Sequence, residues 1–535
     1  MILSFPHVSR RRFMKLAGSG LFLAGLPSFL RGSMPLDTVS IFHTTDLHGN
    51  VVPTSTYDGI SDVGGIARCA TRIQQWRQLK PHHLLVDLGD LYQGTKLGYR
   101  TNGQAMIKCL NHLQYDAWVL GNHEFDWGIE AVDEAIAASE MPVVTANSSF
   151  DGRSVWEESH FGQTPVLPYL IKEVGGYRIA FIGLITPGMP NWFLPELIGG
   201  FAAADPVPVL RQMIDLVKAR GADAIIVGTH MGIRPWSSED DAANRIDGIT
   251  RACPEIDVII AGHTHRDLPH QRVNGVVYSQ ANYFGIHLGR VDLMFDRDTR
   301  RLIGVQPMTA YMDASVPVDP AVVALVADDL EEAQAYMDQE VGVFGEPLDI
   351  ANAPAEASDV ERLIGASLKE GLAARGVEVD AVIHGLLFMD DPVPAGVKTV
   401  ADMWSIIPFE NFIVTGEVTR EEFEMILREV FQGRQRRSLM GLHATIEGRG
   451  ENLRITGLYT EDGEPFREDK IRFAVNSYDA ASGGARFPLL REILAQPASR
   501  RTLHRLQTRA LLADYVRTNS PITPGRLKAL TGTLP

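Results

Sequence analysis

A chain of 535 residues exceeds what one ordinary core organises, so two domains are expected. Its 45% apolar and 22% charged residues match a soluble globular protein. A net charge of −16 repels polyanions, which sets aside duplex nucleic acid and anionic membrane as partners and requires a local positive field to draw in a small anionic substrate.

Residues 1–32 read as a targeting segment. Arg10, Arg11, Phe13 and Lys15 fall in a twin-arginine pattern, followed by an apolar run over 16–30. That run is shorter than the ~20 residues needed to span a bilayer. Such a signal predicts export in the folded state to the periplasm or another extracytoplasmic space. Residues 28–33 carry no clean small-x-small cleavage pattern, which leaves retention as an anchor open. The segment contains five basic residues and no acid; without it, 45 basic and 66 acidic side chains give a net charge of −21.

From residue 36 to about 312, apolar strand-like runs alternate with helical patterns, and five of the runs end in a carboxylate or imidazole. Residues 39–42 lead to Asp46, His48 and Gly49, and residues 84–86 to Asp87 and Asp90. Residues 116–120 lead to Asn122, His123 and Asp126, residues 223–227 to His230, and residues 257–260 to Gly262, His263 and His265. Loops at the C-terminal ends of strands are where open α/β sheets build their sites, and neighbouring glycines let the backbone approach a ligand closely. One buried His after a strand is ordinarily a satisfied core residue. Five repeats of the pattern argue for ligation, and neutral nitrogen and oxygen donors suit a borderline divalent metal. His43 reads as core, and Asp87 as a residue that orients its neighbours.

Helices are expected over 65–79, 103–113, 129–139, 206–219 and 240–253, with further strands over 177–185 and 286–295. Asn274-Gly275 is a hairpin turn signal. The three cysteines, Cys69, Cys109 and Cys253, form neither a disulfide framework nor a Cys-x-x-Cys motif. Residues 316–345 are acidic and helix-periodic, a linker helix with Val322, Leu325, Val326, Leu330 and Ala333 on one face. Residues 346–535 read as a smaller α/β domain ending in a basic amphipathic helix over 501–517, its Arg and His residues on a solvated face.

The ordered set Asp-x-His, Gly-Asp, Gly-Asn-His-Glu, His and Gly-His-x-His, from Asp46 to His265, resembles the calcineurin-like dinuclear metallophosphoesterases. The form Gly121-Asn122-His123-Glu124-Phe125-Asp126 is similar to their 5′-nucleotidase branch. The resemblance implies a four-layer αββα sandwich over 36–315 and a substrate-binding C-terminal domain over 346–535. It also implies two divalent ions, whether Zn, Mn, Fe, Co or Ni, and a small phosphorylated substrate. Asp90 would bridge the ions, Asp46, His48 and His265 would complete one site, and Asn122, His230 and His263 the other. A shared carboxylate offsets the repulsion of two dications ~3.5–4 Å apart, and the pair would activate water for attack on phosphorus. His123, held by Asp126, would stabilise charge on the phosphoryl or leaving oxygen. Asp126 also suits a helix N-cap, and the two roles are compatible.

In the second domain, residues 407–411 are similar to the family's Pro-Phe-Gly-Asn segment and Gly483-Gly484 to its late Gly-Gly. Phe409, Asn411, Tyr478 and Arg486 are the candidate substrate contacts, with Phe412 a further stacking candidate. Two elements depart from the family. Residues 381–389 lack the Arg of Asn-x-Gly-Gly-x-Arg, and Ala485-Arg486 stand where an Asp follows the Gly-Gly. The expected substrate is therefore a phosphate ester other than AMP. A sulfate-thiol ester hydrolase of the sulfur-oxidation type shares this architecture but has Gln in place of Gly49. A binding protein with structural metals would have no need of His123.

Overall fold

The computed structural model describes residues 36–154, 166–234, 241–351, 357–386, 389, 391–432 and 437–531. The expected signal over 1–32, and Leu387 and Phe388 of the altered motif, lie outside the described residues. Among those described, no helix is long and apolar enough to cross a membrane.

Between residues 36 and 311, two sheets lie face to face. One has seven strands, with Leu36–Thr44, His83–Asp87, Ala117–Trp118 and Val143–Val144 side by side and parallel at its centre. The other has six, with Tyr177–Leu184, Ala224–Thr229 and Val258–Ala261 parallel at its centre. Strand alternation explains the layering. On the first strand, Val39 and Ile41 point inward and pack with Phe181, Ile226 and Ile260 of the other sheet. Phe42 points outward to Ile66, Ile73 and Trp76 of helix Ile66–Leu79. Helices Pro206–Ala219 and Ile246–Ala252 cover the opposite outer face through Leu210, Met213 and Ile249. The order is helix, sheet, sheet, helix: the αββα sandwich.

The Asn274-Gly275 signal forms a two-residue hairpin between Asp267–Val273 and Val276–Ala281, with φ of 48° and 90° at its two positions. The helix expected over 240–253 is confined to Ile246–Ala252.

The linker expected as one helix over 316–345 is two helices, Pro320–Leu325 and Ala327–Met337, followed by a strand, Glu340–Phe344. The helix breaks at Val326, whose side chain turns into the core of the first sheet at 1% exposure. Asp328 and Asp329 then open the second helix, where the positive end of the helix dipole favours acids.

Beyond it, a five-stranded sheet orders Ser438–Met440, Ala381–His384, Lys470–Asn476, Phe412–Thr419 and Thr502–Gln507. The terminal helix expected over 501–517 is instead that last strand plus helix Thr508–Asn519. Edge pairing to Phe412–Thr419 outweighs helical periodicity there, with Leu503 and Leu506 turned to two apolar clusters. Its cations do not share one environment: Arg505 and Arg517 stay exposed as expected, whereas Arg509 is buried. Arg501 pairs with Glu196, and Arg505 reaches Glu130 at 3.3 Å. Arg509, 4% exposed, pairs with Glu410 at 2.7 Å and lies 3.7 Å above the Trp404 ring. The Arg501–Glu196 pair, with Leu194 buried among the five-stranded sheet's apolar residues, seats loop 188–197 against the later part of the chain.

Candidate metal centre

All five strand-then-ligand loops open on the same edge of the sandwich. The first sheet delivers Asp46, His48, Asp90, Asn122 and His123; the second delivers His230, His263 and His265. Five of these residues hold left-handed backbone: Asp46, His48, Asp90, His263 and His265, with φ from 47° to 72°. Non-glycine residues adopt that region at a cost that surrounding structure must cover, which is a mark of functional loops. Glycine is required where loops cross: a Cβ on Gly121 would collide with Asp90 Oδ1, and one on Gly262 with Thr45 Oγ1.

Donor atoms converge in two groups that share Asp90. Asp46, His48, Asp90 and His265 form one, and Asp90, His230 and His263 the other, each within 4.8 Å. His48 Nε2 lies 3.0 Å from His265 Nε2 and 3.7 Å from Asp90 Oδ2. His265 Nε2 is 3.3 Å from Asp46 Oδ1, and His230 Nε2 is 3.0 Å from Asp90 Oδ2. Asn122 Oδ1 is buried with no hydrogen-bond partner.

This donor set fits a pair of divalent cations. His48 Nδ1 lies 2.8 Å from the Gln93 carbonyl and His230 Nδ1 2.7 Å from the Leu88 carbonyl. A carbonyl only accepts, so each ring carries its proton on Nδ1 and presents an Nε2 lone pair. Lone pairs, carboxylates and an orphaned amide oxygen facing one another repel unless a cation lies among them. Burial agrees for two rings, pushing His48 down to about 4 and His263 to about 3, the neutral forms that ligate. At His230 burial is outweighed by the Asp90 and Asp46 carboxylates, which raise it to about 9, so there a cation must displace the proton that otherwise balances them.

His123 stands apart from both groups. Its Nδ1 lies 2.9 Å from Asp126 Oδ2, and its backbone N–H donates to Asp90 Oδ1 at 2.8 Å. Burial opposes its charge, but the carboxylates of Asp126 and Asp90 outweigh burial and raise it to about 10. Asp126 does not cap the following helix; Gly128 occupies the N-cap. His43 is fully buried, with neither ring nitrogen hydrogen-bonded, and burial pushes it down to about 3. Asp87 accepts from Thr44 Oγ1 and the Gly89 amide, and burial raises it to about 8.

A cavity of about 310 Å³ opens from the donor groups toward the domain of the five-stranded sheet. Asp90, Asn122, His123, Asp126, His263 and His265 line its floor; Phe409, Asn411, Tyr478 and Arg486 line the far wall. Phe412 is buried at 9% exposure and is not among the lining residues.

Several contributors carried no role in the sequence reading. Glu124, fully buried, accepts from the amides of Asp90, Leu91 and Gly121 at 3.0, 2.6 and 2.6 Å. It ties the Asp90 loop to the Asn122 loop, and its place inside the Asn-His-Glu motif was the available signal. Trp192, Phe193 and Leu197 line the cavity from loop 188–197, and Tyr57 reaches His265; no local pattern marks them.

Residues 39–267 match the family model described as calcineurin-like phosphoesterase. The chain is similar to a trifunctional nucleotide phosphoesterase of Bacillus subtilis, 32% identical over 48% of this chain and 20% of that protein. It is also similar to a snake venom 5′-nucleotidase of Naja atra, 30% identical over 57% of this chain and 59% of that one. It therefore spans less than two thirds of these curated relatives. Its fold resembles a 5′-nucleotidase precursor from Thermus thermophilus, with a TM-score of 0.64 at 22% identity, covering 91% of this chain and 97% of that one.

Proposed function

We propose that this chain, whose residues 39–267 belong to the calcineurin-like phosphoesterase family, is a metal-dependent hydrolase of small phosphate esters. The observation that carries the reading is the two donor groups sharing Asp90, open to one cavity that His123 also lines. Asp46, His48, His265 and Asp90 would hold one ion; Asn122, His230, His263 and Asp90 the other. Bound divalent ions supply Lewis-acid polarisation of phosphoryl oxygens and a water acidified toward neutral pH.

The chain's own groups do the rest. His123, kept protonated by Asp126, aligns a proton with the leaving oxygen as the ester bond breaks. Asp126 fixes the ring so that its other nitrogen faces the cavity. Phe409 and Tyr478 offer aromatic surface to the leaving group, Asn411 a hydrogen-bonding amide and Arg486 a cation. Trp192, Phe193 and Leu197 add apolar wall beside the substrate. The twin-arginine pattern supports export to an extracytoplasmic compartment as part of the same reading.

The relatives named for nucleotides make nucleotides one candidate class. The missing Arg in 381–389, and Ala485-Arg486 in place of an Asp, favour a different ester. The test is a panel of phosphomonoesters and diesters assayed with the metal-loaded protein. The expected result is turnover of an aryl phosphate, with AMP no better a substrate. AMP exceeding the aryl ester by more than about a hundredfold contradicts the substrate reading, since one lost charged contact is worth ~2–4 kcal/mol, or roughly 30- to 1,000-fold. No turnover of any ester contradicts the activity.

A further inference from the structure

The imidazoles of the donor groups are not all anchored alike. His48 and His230 hold their Nδ1 against backbone carbonyls of the sandwich, Gln93 and Leu88. His265 holds its Nδ1 against a side chain on a surface loop: Tyr57 Oη lies 3.0 Å away. The two rings are also nearly parallel, 7° apart with centroids at 5.9 Å. Tyr57 is 68% exposed, so nothing in core packing requires an aromatic there.

The loop is built to hold this residue in place. Thr54 and Val63 close its neck with reciprocal backbone bonds of 2.8 and 3.1 Å, and Val63 is buried. Tyr57 packs on Tyr283 at 4.4 Å between centroids and edge-on to Phe284 at 5.4 Å. Its backbone N–H donates to Tyr283 Oη at 3.1 Å.

We propose that Tyr57 is the positioning residue for the half of the metal centre formed by Asp46, His48 and His265, holding His265 with Nε2 aimed at the ion. The proposal rests on the metal reading above. A neutral imidazole carries one N–H. With that hydrogen on Nδ1 and donated to the phenol oxygen, Nε2 presents its lone pair beside Asp46 Oδ1 and His48 Nε2. His265 needs such a clamp more than His48 does, because its side chain is 25% exposed against 6%. Without the hydroxyl the ring is free to take the other tautomer or to rotate away from the ion.

The test uses the full chain, stripped of metal and reloaded with Co²⁺, in three forms: wild type, Tyr57→Phe, which keeps the stacked ring and loses the acceptor, and Tyr57→Ala. Chelator competition reads the affinity of each ion, and the Co²⁺ absorption spectrum reads its ligand field. The expected result for Tyr57→Phe is a ~10- to 100-fold loss of affinity for one ion, the scale of an outer-shell partner. That loss comes with a shifted absorption band, an unaltered second ion and an unchanged thermal midpoint of the metal-free protein. Tyr57→Phe binding both ions as wild type does overturns the proposal, even if Tyr57→Ala binds weakly, because ring packing alone would then be at work. A loss shared equally by both ions overturns the assignment to one half. Wild type that binds no ion overturns this proposal together with the metal reading beneath it.

Discussion

His48 Nε2 and His265 Nε2 face each other at 3.0 Å across 217 residues of sequence. The Gln93 carbonyl commits the proton of His48 to Nδ1, so its Nε2 lone pair points at a second ring nitrogen in a buried, carboxylate-lined site. Divalent metal should therefore stabilise the fold. With an ion at ~1,000 times its dissociation constant the gain is ~4 kcal/mol, read as a rise in the thermal midpoint that chelator reverses. Unfolding insensitive to both metal and chelator contradicts this.

His123 lies outside both donor groups while lining the same cavity. Replacing it by Asn should keep metal content and lower kcat ~10²- to 10⁴-fold, the scale of general acid catalysis. Asp126→Asn should act in the same direction through the ring it holds. Loss of a metal from the His123 variant would make that residue a ligand.

Glu124 is a pin between two ligand loops. Its two oxygens accept three backbone N–H groups, and burial raises it to about 7. Glu124→Gln turns an NH₂ toward N–H donors and should cost ~1–3 kcal/mol in chemical denaturation. It should also weaken metal binding, since Asp90 hangs from the same loop. An unchanged denaturation midpoint contradicts the pin.

Arg437 and Asp479 form a bidentate pair at 2.5 and 2.6 Å behind the cavity, exposed by 2% and 0%. Burial pushes the Asp479 carboxyl up, but the Arg437 charge and its two bonds outweigh burial and hold it below the ordinary value. A carboxylate depressed on folding adds stability above its unfolded pKa, ~3.9, and that stability drains as pH falls below this value. Arg437→Leu strands a buried charge and should cost ~3–5 kcal/mol at neutral pH. The double variant Arg437→Leu with Asp479→Leu should cost less than Arg437→Leu alone and lose less stability than wild type between pH 5 and 3. A double variant as acid-sensitive as wild type contradicts the pairing.

The part of this molecule legible in its sequence is the part where chemistry repeats locally. Val39, Ile41 and Phe42 alternate as a strand, and Asp46 and His48 follow within six residues, so strand, loop and donor are read in one window. What is legible only in three dimensions comes from far along the chain. Thr502–Gln507 carries helical spacing, yet it becomes an edge strand because Phe412–Thr419 offers it a ladder of backbone bonds. The continuous linker periodicity breaks at Val326 because a core pocket receives that side chain. Arg509 has the look of a solvated cation until Glu410 and Trp404 enclose it. Tyr57 and Trp192 reach the centre from loops whose sequences carry no period at all.

Asp90 is the donor common to both groups, so a pair of ions depends on it. The most direct measurement is phosphate release from an aryl phosphate by wild type and Asp90→Asn, each stripped and reloaded with divalent metal, with bound metal counted in the same samples. The expected result is about two ions and turnover in wild type, silenced by chelator, and loss of both metal and turnover in the variant. Turnover by metal-free wild type, or an Asp90→Asn protein that keeps two ions and full activity, would contradict it.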